Sequence, residues 1–93
     1  MKANIKKDCL KRLNYLIGHL NGVKKMLEND RYCVDIIQQN LGVIAALHKV
    51  NEKILRGHFE TCVSRVIKFG TRKEREKVLG EIMEIFKRSK NSY

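Results

Sequence analysis

The sequence predicts an all-α fold: a three-helix protomer, built as a helical hairpin with one very long helix plus a short C-terminal helix. Three observations predict it. Proline is absent from all 93 residues while Leu, Ile, Lys and Glu are abundant, a composition that favours long uninterrupted helices. Apolar residues recur three and four apart along most of the chain, the period of a helix face. Hydrophobic residues make up 43% and are spread evenly, so the chain is neither a disordered tail nor a charged linker.

The first helix is expected from Ile5 to Leu27, on a stripe of Cys9, Leu13, Leu16/Ile17, Leu20, Val23 and Leu27. Gly18 and Gly22 lie one turn apart within it, and since glycine costs about 1 kcal/mol against alanine inside a helix, both are read as permitting close packing. Glu28-Asn29-Asp30 forms the polar connection. The second helix is expected from Val34 to Lys68, with Ile37, Leu41, Ile44, Leu47/His48, Asn51, Leu55, His58/Phe59, Cys62, Val66 and Phe69 on its stripe. A helix of over thirty residues in so small a chain suggests a rod that pairs with another rod. Gly70 suits its C-terminal end, and Thr71 with Glu74 forms a capping box for a third helix from Arg72 to Arg88. Leu79, Ile82, Met83 and Phe86 are expected to point inward there. Asn91-Ser92-Tyr93 is expected as a tail.

A chain of this length has a thin core, and pairing two hairpins into an antiparallel four-helix bundle would cover the stripe left exposed on the second helix. The formal charge is +10, with eight basic and three acidic side chains in the first thirty-one residues. Such a charge attracts polyanions, nucleic acid foremost. Lys7, Lys11, Arg12, Lys49, Lys53 and Arg56 can form a patch that contacts phosphates and reads shape rather than base edges. No apolar run reaches the length of a membrane span, and no secretory h-region follows the charged start. Three cysteines without a CxxC pair make no disulfide framework. A cytoplasmic protein with reduced thiols is expected. No Ser/His/Asp grouping, phosphate-cradling loop or paired carboxylates point to an enzyme or a small-molecule substrate.

The residues with the most chemistry are Cys33, His58 and Cys62. His58 and Cys62 lie four apart, which places both on one helix face, one turn apart. Cys33 precedes His58 by twenty-five residues, and in one straight helix that is about 37 Å. Metal–ligand bonds are only about 2.0–2.3 Å long, so one chain cannot supply all three donors, whereas an antiparallel partner can. That pairing puts the two-fold axis between residues 46 and 47, where Gly42, Ala45 and Ala46 are small. Two thiolates and an imidazole favour Cu(I), while zinc would want a fourth ligand and nickel more nitrogen or oxygen donors. Against this stands plain packing, since buried cysteine is common. Cys9, on the apolar stripe, reads as core, and His19 and His48 as packing or hydrogen-bonding residues.

Leu20-Asn21-Gly22-Val23, Met26-Leu27-Glu28, Tyr32-Cys33-Val34-Asp35-Ile36 and His58-Phe59-Glu60-Thr61-Cys62 together resemble the CsoR/RcnR family of metal-responsive repressors, over residues 9 to 86. The Cys–His–Cys spacing resembles its copper-sensing CsoR branch. The resemblance implies dimers of helical hairpins assembling to a homotetramer, with Cu(I) bridged across each dimer interface by Cys33, His58 and Cys62. It implies a repressor that binds operator DNA without metal and releases it on Cu(I) binding, derepressing copper-export genes. It further implies that Tyr32 hydrogen-bonds the ligand histidine and that a glutamate of the third helix stands nearby. Glu81 is the candidate, reached by a small insertion after Gly70. Arg12 and Lys49 fall where the family uses basic residues on DNA, and Ile17 replaces its usual charged residue before Gly18. Family relatives that sense nickel carry extra histidine near the N-terminus, which Met1-Lys2-Ala3-Asn4 does not offer. Persulfide sensors keep the two cysteines without the histidine. A persulfide-sensing repressor acting through Cys33 and Cys62, or a copper-buffering protein without regulatory role, are the alternatives.

Overall fold

The computed structural model describes residues 1–90 and contains no strand among them. Asn91, Ser92 and Tyr93, expected as a tail, lie outside the described residues. The elements are α1 (Ala3–Glu28), α2 (Cys33–His58), a π-helical segment (Phe59–Val63), α3 (Ser64–Phe69) and α4 (Arg72–Lys90). The expected second helix is thus α2, the π segment and α3 in succession. His58, Val63 and Ser64 all keep right-handed helical dihedrals at the junctions. The chain divides into two compact units, Met1–Gly57 and His58–Tyr93.

The first unit is the α1–α2 hairpin. Its buried residues repeat every seventh position: Cys9, Leu16 and Val23 on α1, and Ile36, Val43, Val50 and Gly57 on α2. A seven-residue apolar repeat keeps one narrow seam turned toward an antiparallel neighbour. Cys9, Leu16, Val43 and Val50 form the cluster, with Ile5, Leu13 and Ala46 packed against it. Each such side chain contributes about 1.5–3 kcal/mol when fully buried. Two links across the hairpin set its register: His19 Nε2 to Gln39 Oε1 at 2.8 Å, and Lys53 Nζ to Asp8 Oδ2 at 3.3 Å. At the open end, Met1 and Ile5 close over Gly57, where an added Cβ would lie 3.3 Å from Met1 Cγ.

The seam differs from the expected stripes. Cys9, Leu16 and Val23 are buried as expected, but Ile17, Leu20 and Leu27 are exposed. On α2, Ile37, Leu41, Ile44 and Leu47 are exposed, and the hairpin instead buries Ile36, Val43 and Val50. The helix carries two apolar rows about 100° apart, and the β-branched row fills the intrachain seam. Gly18, Gly22 and Gly42 sit off that seam, with nothing within 4 Å of an added Cβ. Within the protomer, no neighbour packs against Gly18 or Gly22. Ala46, expected at a two-fold axis, packs against the hairpin core.

The turn between the helices is a Schellman motif. Arg31 N–H donates to Met26 O (3.0 Å) and Asp30 N–H to Leu27 O (3.2 Å), which satisfies carbonyls that the helix end leaves open. Asp30 takes the left-handed position with φ 51°, tolerable for a short polar residue but easier for glycine.

In the second unit, Val63 and Ile82 are the buried apolar residues. The capping box at the start of α4 forms as read: Glu74 N–H donates to Thr71 Oγ1 (3.2 Å), and Thr71 N–H donates back to Glu74 Oε1 (3.3 Å). Gly70 ends α3 in an extended conformation, φ −80° and ψ 162°. Glycine is needed there for space, since a Cβ would lie 2.5 Å from Val66 O. Leu79, Met83 and Phe86, expected inward, are exposed along with Ile85. Only Ile82 of the expected α4 set is covered, because α4 is amphipathic with one residue of its apolar face supported within the chain.

Candidate metal centre and basic surface

Tyr32 and Cys33 stand at the N-terminal end of α2. The Tyr32 carbonyl accepts the N–H groups of Asp35 (3.0 Å) and Ile36 (3.2 Å), so its backbone opens the helix, and Asp35 in the first turn suits the positive end of the helix dipole. Cys33 is the first residue of α2 and His58 its last. At 1.5 Å rise per residue, the two ends of this one helix are about 37 Å apart. Both Cys33 and Cys62 are free, exposed thiols, while Cys9 is free and buried, as its place on the stripe required.

His58 and Cys62 bracket a feature that periodicity did not show. The five residues from Phe59 to Val63 are π-helical, and Ser64 N–H donates to Phe59 O, five residues back, as well as to Thr61 O. Such a segment occurs mostly as a single turn inside α-helices and frequently at functional sites. It widens the helical turn that separates His58 from Cys62. Thr61 Oγ1 donates to Cys62 Sγ at 3.7 Å. His58 is half-buried, and Tyr32 and Glu81 are exposed, Glu81 on α4 beside the buried Ile82.

Among the described residues, no three His, Cys, Asp or Glu side chains gather into a metal cage within the single chain. The donor set is nonetheless chemically coherent. Two thiols and one imidazole suit a soft d10 ion that accepts low coordination, and Cu(I) is such an ion.

The basic residues named from sequence all lie in the hairpin unit. Asp8 Oδ2 accepts from Arg12 Nε at 3.2 Å on the same helix and from Lys53 Nζ at 3.3 Å across on α2. The hydrogen bond from Arg12, then that from Lys53, hold the Asp8 carboxyl below its ordinary value of 3.8. Lys49 pairs with Glu52 at 3.6 Å. Lys7 and Lys11, with Lys6, line a shallow groove on α1 around Leu10, and Arg56 is exposed on α2. Reading the basic residues alone overlooked Asp8, although its i, i+4 spacing to Arg12 is a signal that the sequence does carry. His19 bonds Gln39 at 2.8 Å and meets Tyr15 edge-on, a hydrogen-bonding role as expected.

A helical chain with two exposed thiols, an imidazole four residues from one of them, and cations along its hairpin has groups that suit a metal-responsive DNA regulator. Comparison with known proteins agrees. The profile of the metal-sensitive transcriptional repressor family matches residues 5–88. The copper-sensing transcriptional repressor CsoR of Bacillus subtilis is 38% identical over 88 residues, covering 94% of this chain and 84% of that protein. CsoR of Mycobacterium tuberculosis is 42% identical over 62 residues, 67% of this chain and 52% of that one. The crystal structure of the copper-sensing repressor CsoR with Cu(I) from Geobacillus thermodenitrificans superposes with a TM-score of 0.82 at 34% identity, covering 95% of this chain and 88% of the other. The chain belongs to the metal-sensitive transcriptional repressor family, a family of regulators rather than enzymes. No helix among the described residues is long and apolar enough to cross a membrane.

Proposed function

We propose that residues 1–93 act as one metal-sensing, DNA-binding helical domain, a cytoplasmic copper(I)-responsive transcriptional repressor. Without metal it holds operator DNA. It lets go when Cu(I) binds an intersubunit site made of Cys33 from one protomer with His58 and Cys62 from a second, and copper-resistance genes are derepressed. The observation that carries this reading is the placement of Cys33 and His58 at opposite ends of the same 26-residue helix. One ion cannot span that helix, but two antiparallel copies bring one end to the other. Relatives described as copper-sensing repressors support the choice of ion.

Bound Cu(I) would supply bonds that tie two protomers together. The chain's own residues do the rest. Tyr32 and Glu81 orient His58 through its second ring nitrogen, which fixes the tautomer. Lys7, Lys11, Arg12, Lys49, Lys53 and Arg56 contact phosphates. The exposed row Ile37, Leu41, Ile44 and Leu47 closes the dimer, and dimers pair into the tetramer. Metal and DNA then oppose one another reciprocally: whatever factor the metal takes from DNA affinity, DNA takes from metal affinity.

The exposed thiols of Cys33 and Cys62 also suit a reactive-sulfur sensor, and one experiment separates the readings. A complex with the duplex selected by the protein from a random pool is titrated anaerobically with Cu(I), Ni(II), Zn(II) and persulfide. Release by Cu(I) at the lowest ratio is expected. Release by persulfide alone would make the protein a sulfur sensor, and metal uptake without release would make it a copper buffer.

A further inference from the structure

Asp8 is joined to two of the cations assigned above to DNA, Arg12 and Lys53, and it joins them across two helices. One oxygen, Oδ2, accepts from Arg12 Nε on α1 and from Lys53 Nζ on α2. The two cationic nitrogens are therefore no farther apart than these two bonds laid end to end. Left alone, two like charges on flexible stems would spread, and each would sample many rotamers. Asp8 uses one donor of each. The guanidinium has five donors and the ammonium three, so the terminal amines of Arg12 and two protons of Lys53 are not taken up by Asp8. All three side chains are roughly one-third to two-fifths exposed, open enough for a phosphate to approach.

We propose that Asp8 is a positioning residue for operator recognition, fixing Arg12 and Lys53 at one spacing across the α1–α2 edge; this rests on the assignment of both cations to DNA. A carboxylate at a phosphate-binding surface repels DNA of any sequence. The same carboxylate favours a duplex whose backbone presents phosphates at the held spacing. Asp8 thus lowers affinity for random DNA and raises discrimination, since phosphate contacts set register while groove shape carries sequence.

The test compares wild type with Asp8→Asn, Asp8→Glu and the double variant Arg12→Ala/Lys53→Ala. Each is titrated at matched salt against the selected duplex and against sheared salmon-sperm DNA. Asp8→Asn keeps the shape and removes the charge, and should cut the ratio of selected-duplex to random affinity by about three- to tenfold, the range over which one or two exposed ion pairs bias a population. Random-DNA affinity should rise in the same variant. Asp8→Glu should recover part of the ratio. Helicity and oligomeric mass, followed alongside, should match wild type, which separates positioning from folding. An unchanged or higher ratio in Asp8→Asn would overturn the role of Asp8. Full selected-duplex affinity and an undiminished salt slope in Arg12→Ala/Lys53→Ala would instead overturn the assignment of those cations to DNA.

Discussion

Replacing His58 with alanine removes the only imidazole from the proposed donor set and leaves the basic hairpin face untouched. His58→Ala should hold the selected duplex within about twofold of wild type, because no phosphate contact is altered. Its Cu(I) affinity should fall by more than the roughly 10–100-fold that losing a residue behind a ligand costs. Chelator competition reads the affinity and fluorescence anisotropy reads the release. Asp8 gives a second expectation at this scale. Its folded-state pKa is depressed by Arg12 and Lys53, so its stabilisation is present above the unfolded value and lost as pH falls through the lower, folded one. Thermal melts of wild type and Asp8→Asn should therefore differ by a constant amount near neutrality, and the difference should close as pH is taken below 3.8. A difference that persisted in strong acid would show that Asp8 acts through packing rather than charge.

At the scale of elements, what could be read from sequence was whatever depends on neighbours in the chain. The capping box at Thr71 and Glu74 depends on a three-residue spacing, and it forms as read. The helix boundaries follow likewise from Glu28-Asn29-Asp30 and Gly70. The intrachain seam was less legible, because α2 carries two apolar rows and periodicity ranks both. Ile37, Leu41, Ile44 and Leu47 outweigh Ile36, Val43 and Val50 in bulk, yet the second row is the one buried. The π segment left no signal at all. Phe59-Glu60-Thr61-Cys62-Val63 continues an ordinary helical pattern, and the extra backbone reach to Ser64 is a local hydrogen-bond choice. The same dependence on the seam explains why the Asp8 link across the hairpin was missed. Its link to Lys53 depends on the hairpin register, which one strand of sequence does not state. Asp30 offers a direct check on the turn. Asp30→Gly relieves a left-handed residue that costs roughly 1–2 kcal/mol, against the smaller entropy that glycine adds to the unfolded chain. Denaturant unfolding should show a gain of about 0.5–1 kcal/mol. A loss would mean that the Asp30 side chain holds the turn.

For the whole molecule, the dominant feature is the number of large apolar residues left exposed. Leu20 and Leu27 on α1, Ile37, Leu41, Ile44 and Leu47 on α2, and Leu79, Met83 and Phe86 on α4 all face outward in a single chain. Exposed apolar rows of this kind, in each unit, mark association in a protein with a core this thin. Gly42 lies in the same stretch with open space at its Cβ position, room for a second helix to come near. Leu41→Glu places a charge on the proposed dimer face, and light scattering should show loss of the dimer together with loss of Cu(I) binding. Retained tight Cu(I) binding by a Leu41→Glu monomer would contradict a shared site.

The central claim is that the metal is held between chains, and complementation tests it most directly. Cys33→Ala and Cys62→Ala proteins are titrated with Cu(I) separately, then after mixing and co-refolding. Each alone lacks a donor in every site and should bind weakly. A mixed dimer pairs the intact Cys33 of one protomer with the intact His58 and Cys62 of the other, and should recover one tight site per dimer. Tight binding by either variant alone, or no recovery in mixtures shown to contain mixed dimers, would contradict the intersubunit site.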